Sequence, residues 1–220
     1  MRTLLTGWRS RQRDEATEQA LVYRLAALLL DYPDEAMLAG LGDLRAGVEV
    51  LEDPARAHLR PVVEFLADTD PQTLATQYVD TFDLKKQCAL YLTYYSYGDT
   101  RKRGMALLDF KSAYRQSGLE LAVNELPDHL GVVLEFAATQ DLAWGRELLT
   151  KHRAGLEILR LALRDTGSPY AGVLAAVCST LPHLAGEEHA AIARLVAEGP
   201  PGEEVGLEPF GPPESMGERR

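Results

Sequence analysis

An all-α fold, a single globular helical domain followed by a disordered acidic C-terminal tail, is the class this 220-residue sequence predicts. Three observations carry that expectation. Apolar residues recur at helical spacing almost throughout, strand-like segments have no pairing partner, and after residue 197 the composition turns to proline, glycine and glutamate.

Residues 17–30 place Leu21, Val22, Leu25, Leu28 and Leu29 on one side of a helix, which the DYPDE run stops at Pro33. Residues 1–16 lack that stripe and read as a flexible N-terminus. Residues 34–44 repeat the pattern with Met37, Leu38, Leu41 and Leu44. The pairs Asp53-Pro54 and Asp70-Pro71 each supply a cap followed by proline at the first helical position, where a missing N–H does no harm. Pro61 interrupts the first of these two helices, so that segment is either kinked or restarted there. The second carries Leu74, Tyr78 and Phe82 at i, i+4 and i+8.

The run LYLTYYSYGD follows, dense in tyrosine and strand-like by propensity. A lone strand cannot satisfy its backbone groups, so the spacing predicts a helix end and an aromatic connection instead. Asp99 or Thr100 can cap the next helix, which runs through Met105, Leu108, Phe110 and Tyr114 and ends at Gly118. Further helices are expected over 128–140, 142–164, 168–181 and 187–198, punctuated by Pro127, Gly167 with Pro169, Pro182 and Gly186. The helical domain is thus read as residues 17–197. Residues 198–220 hold five prolines, five glycines, six glutamates and two arginines, and form the tail.

Lys+Arg 23 against Asp+Glu 33 gives a net charge of −10, of which −4 belongs to the tail. That balance opposes binding to nucleic acid or to an anionic membrane surface. The longest apolar run, residues 25–30, is far below the roughly 20 residues a spanning helix needs, and the N-terminus has only Leu4 and Leu5 where a signal peptide needs an apolar core. A cytoplasmic protein is expected. Cys88 and Cys178, without a CxxC partner, read as buried free thiols.

None of the five histidines lies in HExxH or in a paired ExxH, and no phosphate-binding glycine loop or GxSxG elbow is present. No metal or cofactor site is expected, and an enzymatic reading rests only on His129 as a base oriented by Asp128. Two other segments stand out. Residues 78–114 mix the tyrosine run with Lys85, Lys86, Arg101, Lys102 and Arg103, which suits a groove for nucleic acid or for an apolar peptide, the acidic total favouring the peptide; equally, the tyrosines suit a core. Residues 125–138, ELPDHLGVVLEFAA, place Asp128 at a helix start, where a carboxylate caps free N–H groups, and Glu135 in an apolar run, where it must be exposed or paired.

The block LYLTYYSYGDTRKRGMAL, followed by PDHLxxxLEF and by SPYAGVLAAV at 168–177, resembles the NarJ group of redox-enzyme maturation proteins, the delta-subunit chaperones of respiratory nitrate reductase and relatives of TorD and DmsD. The resemblance covers roughly residues 17–197. It implies a TorD-like helical bundle that is not an enzyme. It implies binding to the N-terminal segment of the reductase's catalytic alpha subunit, with the apoenzyme held competent for molybdenum cofactor insertion before membrane docking. Molybdenum cofactor biosynthesis proteins are implied as further partners. A sulfoxide or amine-oxide reductase is the alternative client. Carried over position by position, it implies a groove involving Tyr78, Phe82, Tyr91, Tyr94, Tyr95, Asp99, Arg103, Asp128, His129 and Glu135. Tyr78 and Phe82 also satisfy a simple core pattern at i and i+4.

Overall fold

A 28-residue helix, α1 (Arg2–Leu29), is the element on which the others assemble. The computed structural model describes residues 2–98, 100–121, 125–184 and 192, with side chains from residue 14 onward. α1 starts fifteen residues before the Thr17 at which the apolar stripe begins. Residues 2–16 contain no proline and are mostly good helix formers, so a helix nucleated by the packed turns extends backward by propensity, which a search for an apolar stripe misses.

The remaining helices are α2 (Glu35–Ala39), α3 (Leu41–Glu49), α4 (Ala55–Asp68), α5 (Pro71–Tyr78), α6 (Tyr94–Tyr97), α7 (Arg101–Gln116), α8 (Leu130–Thr139), α9 (Leu142–Lys151), α10 (Arg153–Asp165) and α11 (Ala171–Ser179). α5 passes into a π-helical turn over Val79–Asp83, and a single 3₁₀ turn covers Lys86–Cys88. No strand occurs among the described residues; Tyr91 and His129 form an isolated antiparallel bridge. The aromatic run is therefore a connection and a short helix inside an all-α fold. Among the described residues no helix is long and apolar enough to cross a membrane. Residues 198–220, and all of 187–198 except the buried Ile192, lie outside the described residues.

Local chemistry explains most boundaries. Asp70 caps α5 by accepting from the Thr73 amide at 3.0 Å, with Pro71 at the first helical position. The parallel expectation for Asp53 fails. Pro54 itself occupies the cap position of α4, and the Asp53 carboxylate accepts from Arg56 at 3.2 Å. Pro61 sits inside a helix that continues from Ala55 to Asp68. The single helix expected over 34–44 is divided at Gly40, whose amide closes a tight turn on Met37. The one expected over 142–164 is divided at His152, because α10 must turn to bring Gly155 against the backbone of Leu92, where a Cβ would lie 3.2 Å from the carbonyl oxygen. Positive φ at Gly118 and Gly167, after the ends of α7 and α10, needs a residue without a Cβ.

α1 lies between two groups of helices. On one side it packs on α8, itself backed by α9; on the other it meets α11, α4 and α3, with α10 behind α11. Val22, Tyr23, Ala26 and Leu29 fill the centre, and the Tyr23 hydroxyl accepts from Thr180 Oγ1 at 2.9 Å, tying α1 to the end of α11. Each fully buried leucine or valine in this core is worth about 1.5–3 kcal/mol. Cys88 and Cys178 are buried free thiols, and burial pushes the Cys178 thiol up to about 11.

α8 and α9 approach so closely at Gly145 that a Cβ there would sit 2.2 Å from Ala137 Cβ. Gly145→Ala should therefore lower the unfolding free energy by about 2–3 kcal/mol in urea titrations. Gly104→Ala, in open space on α7, should raise it by up to about 1 kcal/mol. Equal effects of the two would contradict this packing.

His152 is buried against Phe110, ring centroids 5.0 Å apart, and burial lowers its pKa from 6.5 to about 4. The unfolded chain takes up the proton first, so this contribution is fully retained above pH 6.5 and is lost as pH falls toward 4, up to about 3 kcal/mol. Urea titrations of the native protein and His152→Gln at pH 7, 5.5 and 4.5 should show a shallower decline in the variant; parallel declines would rule the effect out.

Candidate functional site

The two sequence blocks that stand out, around Tyr91 and around Asp128, meet in space. The Leu92 amide donates to the Asp128 carbonyl at 3.0 Å and the Leu130 amide to the Leu90 carbonyl at 2.7 Å. Asp128 is fully buried at 0% exposure. Its Oδ2 accepts from the Thr93 amide at 3.2 Å and from Thr93 Oγ1 at 2.5 Å, and lies 3.5 Å from Arg103 Nη2. Arg103 Nε donates to Thr93 Oγ1 at 3.1 Å, and its guanidinium lies 5.4 Å from the centre of the Tyr91 ring. From α7, the Tyr114 hydroxyl donates to the Pro127 carbonyl at 2.6 Å.

This corrects the reading of Asp128 as a helix cap. The cap position of α8 is His129, and the Leu130 amide that a cap would serve is taken by the Leu90 carbonyl, so the carboxylate turns inward. Its described partners are Thr93 and Arg103 rather than His129, so it does not orient that imidazole as a catalytic base would require.

Beside this clamp a cleft of about 650 Å³ opens between α1, α8, the Tyr91 segment and the connection after α7. Ala27, Leu28, Leu121, Leu126 and Val132 give it an apolar floor and sides. Among the described residues, Asp31, Glu120, Glu125 and Glu135 give it four carboxylates, and no lysine or arginine lines it. Tyr91 and His129 form one wall, their rings 5.5 Å apart and near perpendicular. Burial lowers the His129 pKa against the opposing pull of Asp128, Asp31 and Glu125, so the imidazole is neutral at pH 7. Glu135 is exposed at the rim and pairs with Arg24 of α1 at 2.5 Å.

Of the residues singled out in the sequence, Tyr91, His129 and Glu135 line the cleft. Tyr78 and Phe82 are core. They pack with Tyr170 in one aromatic cluster, the Tyr78 hydroxyl donates to the Leu30 carbonyl at 2.9 Å, and burial raises its pKa. Tyr95 is also buried, its hydroxyl shared between the Gln87 and Ala89 carbonyls, with the half-buried Tyr94 edge-on against it. Arg103 and Asp128 form the clamp. Asp99 lies outside the described residues. Sequence reading missed Asp31, Glu120 and Glu125; only Glu120 and Glu125 flank the connection between the two blocks, and Asp31, just after α1, joins them through the fold alone. Among the described residues no three His, Cys, Asp or Glu side chains gather where a metal ion would sit.

An acidic, apolar-floored cleft of this kind has the chemistry to accept a cationic amphipathic segment. Residues 49–176 match the nitrate reductase delta subunit family model, and the chain belongs to that family. It is 34% identical to the NarJ protein of Bacillus subtilis over 76% of this chain and 92% of the relative. To NarJ of Escherichia coli K12, named a nitrate reductase molybdenum cofactor assembly chaperone, it is 30% identical over 67% of this chain and 64% of the relative. It is 44% identical, over 73% of its length, to the nitrate reductase-like protein NarX of Mycobacterium tuberculosis, of which it spans only 24%. Among solved structures, a protein from Archaeoglobus fulgidus assigned as a redox enzyme maturation protein superposes with a TM-score of 0.55 at 25% identity, covering 73% of this chain and 91% of that one. Both NarJ relatives carry the name of a nitrate reductase molybdenum cofactor assembly chaperone.

Removing one partner of a buried ion pair leaves an uncompensated charge, at a cost of about 3–5 kcal/mol. Arg103→Ala and Asp128→Ala should each destabilise by that order, and the double variant by clearly less than the sum, as read from a urea double-mutant cycle. Strict additivity would mean that the two groups do not act as a clamp.

Proposed function

We propose that this chain is a cytoplasmic assembly chaperone of respiratory nitrate reductase. Its cleft receives the N-terminal segment of the catalytic alpha subunit, and the bound apoenzyme stays competent for molybdenum cofactor insertion before docking at the membrane. Residues 17–197 make up the chaperone unit and residues 198–220 an appendage to it. The observation that carries the reading is the cleft itself, apolar along its floor and ringed by Asp31, Glu120, Glu125 and Glu135. An amphipathic cationic peptide fits it, laying apolar side chains on Leu28, Leu126 and Val132 while its basic residues meet the carboxylates. Family membership supports nitrate reductase over a sulfoxide or amine-oxide reductase as the client. Binding alone is asked of the protein; it holds the client's apolar segment out of water and away from other chains. Molybdenum cofactor biosynthesis proteins would then meet the chaperone through the client it holds.

Calorimetric titration with a synthetic peptide of the first 15 or so residues of that subunit should release heat. Absence of binding across pH 6–8 would sink the proposal. Glu135→Gln and Asp31→Asn should each weaken binding roughly three- to tenfold and flatten its salt dependence. Asp128→Asn should leave that salt slope unchanged, since its carboxylate is buried in the clamp.

A further inference from the structure

α7 carries a surface that neither the core nor the cleft uses. Arg101, Met105, Leu108, Ser112 and Arg115 follow one another at i, i+4, i+7, i+11 and i+14, which sets them in one stripe along the helix. Met105 and Leu108 are 69% and 51% exposed, whereas Phe110, Ala113 and Tyr114 face inward. Lys102 and Lys111 flank the stripe and are exposed, as are Arg101 and Arg115. Asp109, the one acid of α7, is held by Lys151 at 2.5 Å. Two large apolar side chains thus stand among four exposed cations, on a chain whose net charge is −10.

A second copy of α7 is a poor occupant, because it sets four cations against four. The chain's own sequence supplies a better one. Residues 203–210, EEVGLEPF, place Val205, Leu207 and Phe210 among Glu203, Glu204 and Glu208. Fully extended, eight residues span about 26 Å, close to the roughly 24 Å length of the 16-residue α7. Pro209 suits an extended conformation. Reach is ample. Cys178, near the end of α11, has its thiol beside Arg153, while the adjoining Lys151 and His152 touch Asp109 and Phe110 of α7. One helix therefore separates the end of α11 from α7, roughly 20 Å, and the 11 residues that lead from the buried Ile192, the last described residue, to Glu203 can span about 36 Å.

We propose that residues 203–210, which lie outside the described residues, dock along the Arg101–Met105–Leu108–Arg115 stripe as a displaceable intramolecular cover of α7. The same glutamates are repelled by the acidic cleft, so the cover leaves that site open. This inference does not depend on which client the cleft holds.

Paramagnetic broadening in the full chain tests it. Ser215→Cys carries a nitroxide while Cys88 and Cys178, both buried, stay unlabelled. Amide signals of residues 101–112 should broaden by about a factor of two or more relative to the reduced label. The effect should vanish in Glu203→Gln/Glu204→Gln/Glu208→Gln and should weaken in about 0.5 M salt. No broadening on α7, or broadening on the cleft residues instead, would overturn the proposal and leave the stripe to an external acidic partner. Broadening that appears only when spin-labelled, isotopically unenriched protein is mixed with enriched unlabelled protein would overturn it in favour of a second copy.

Discussion

The buried carboxylate of Asp128 is the constraint on which the rest of the site depends. Taking a carboxylate out of water costs several kcal/mol, which the Thr93 amide, the Thr93 hydroxyl and the Arg103 guanidinium together offset. Satisfying that one group fixes three things. Residues 90–93 must run beside 128–130, α7 must hold Arg103 over the same spot, and Tyr91 and His129 must share one wall. The cleft's shape follows from a polar contact behind its wall, not from the residues that line it.

Helical character and several boundaries were legible because they are local. Asp70-Pro71 caps α5 as its residue types require, and Gly118 ends α7 with the positive φ that glycine tolerates. The division at His152 was not legible, because its cause, the approach of Gly155 to Leu92, joins residues more than sixty positions apart. Tyr78 and Phe82 show the same limit from the other side. Their i, i+4 spacing fits a core or a groove equally, and only Tyr170, brought in from α11's approach, places them in the core. Glu135 was legible in part: in an apolar run a carboxylate must be exposed or paired, and it is both. Asp31, Glu120 and Glu125 are unremarkable acids in the sequence and become a set only when α1 and the connection after α7 face one another.

The net charge of −10 hides an uneven distribution. Carboxylates gather around the cleft, whereas cations gather along α7, and Tyr114 and Arg103 reach from α7 to the residues between the two. A charged partner approaching this body therefore meets opposite signs on neighbouring faces, which orients it before contact. An acidic total alone suggests uniform repulsion of anions, and the fold makes that inference wrong for one face.

The Arg24–Glu135 pair sets a limit on how tightly the cleft can hold anything cationic. That carboxylate already has a guanidinium 2.5 Å away from within the same chain. A basic side chain arriving there exchanges one ion pair for another, and the net gain is only the difference between them. Part of the electrostatic attraction is thereby held in reserve by the protein itself. Were such a side chain to leave, Arg24 would again pair with Glu135, so its release would expose no bare charge at that end of the cleft. Such a site favours turnover of visitors over their permanent retention.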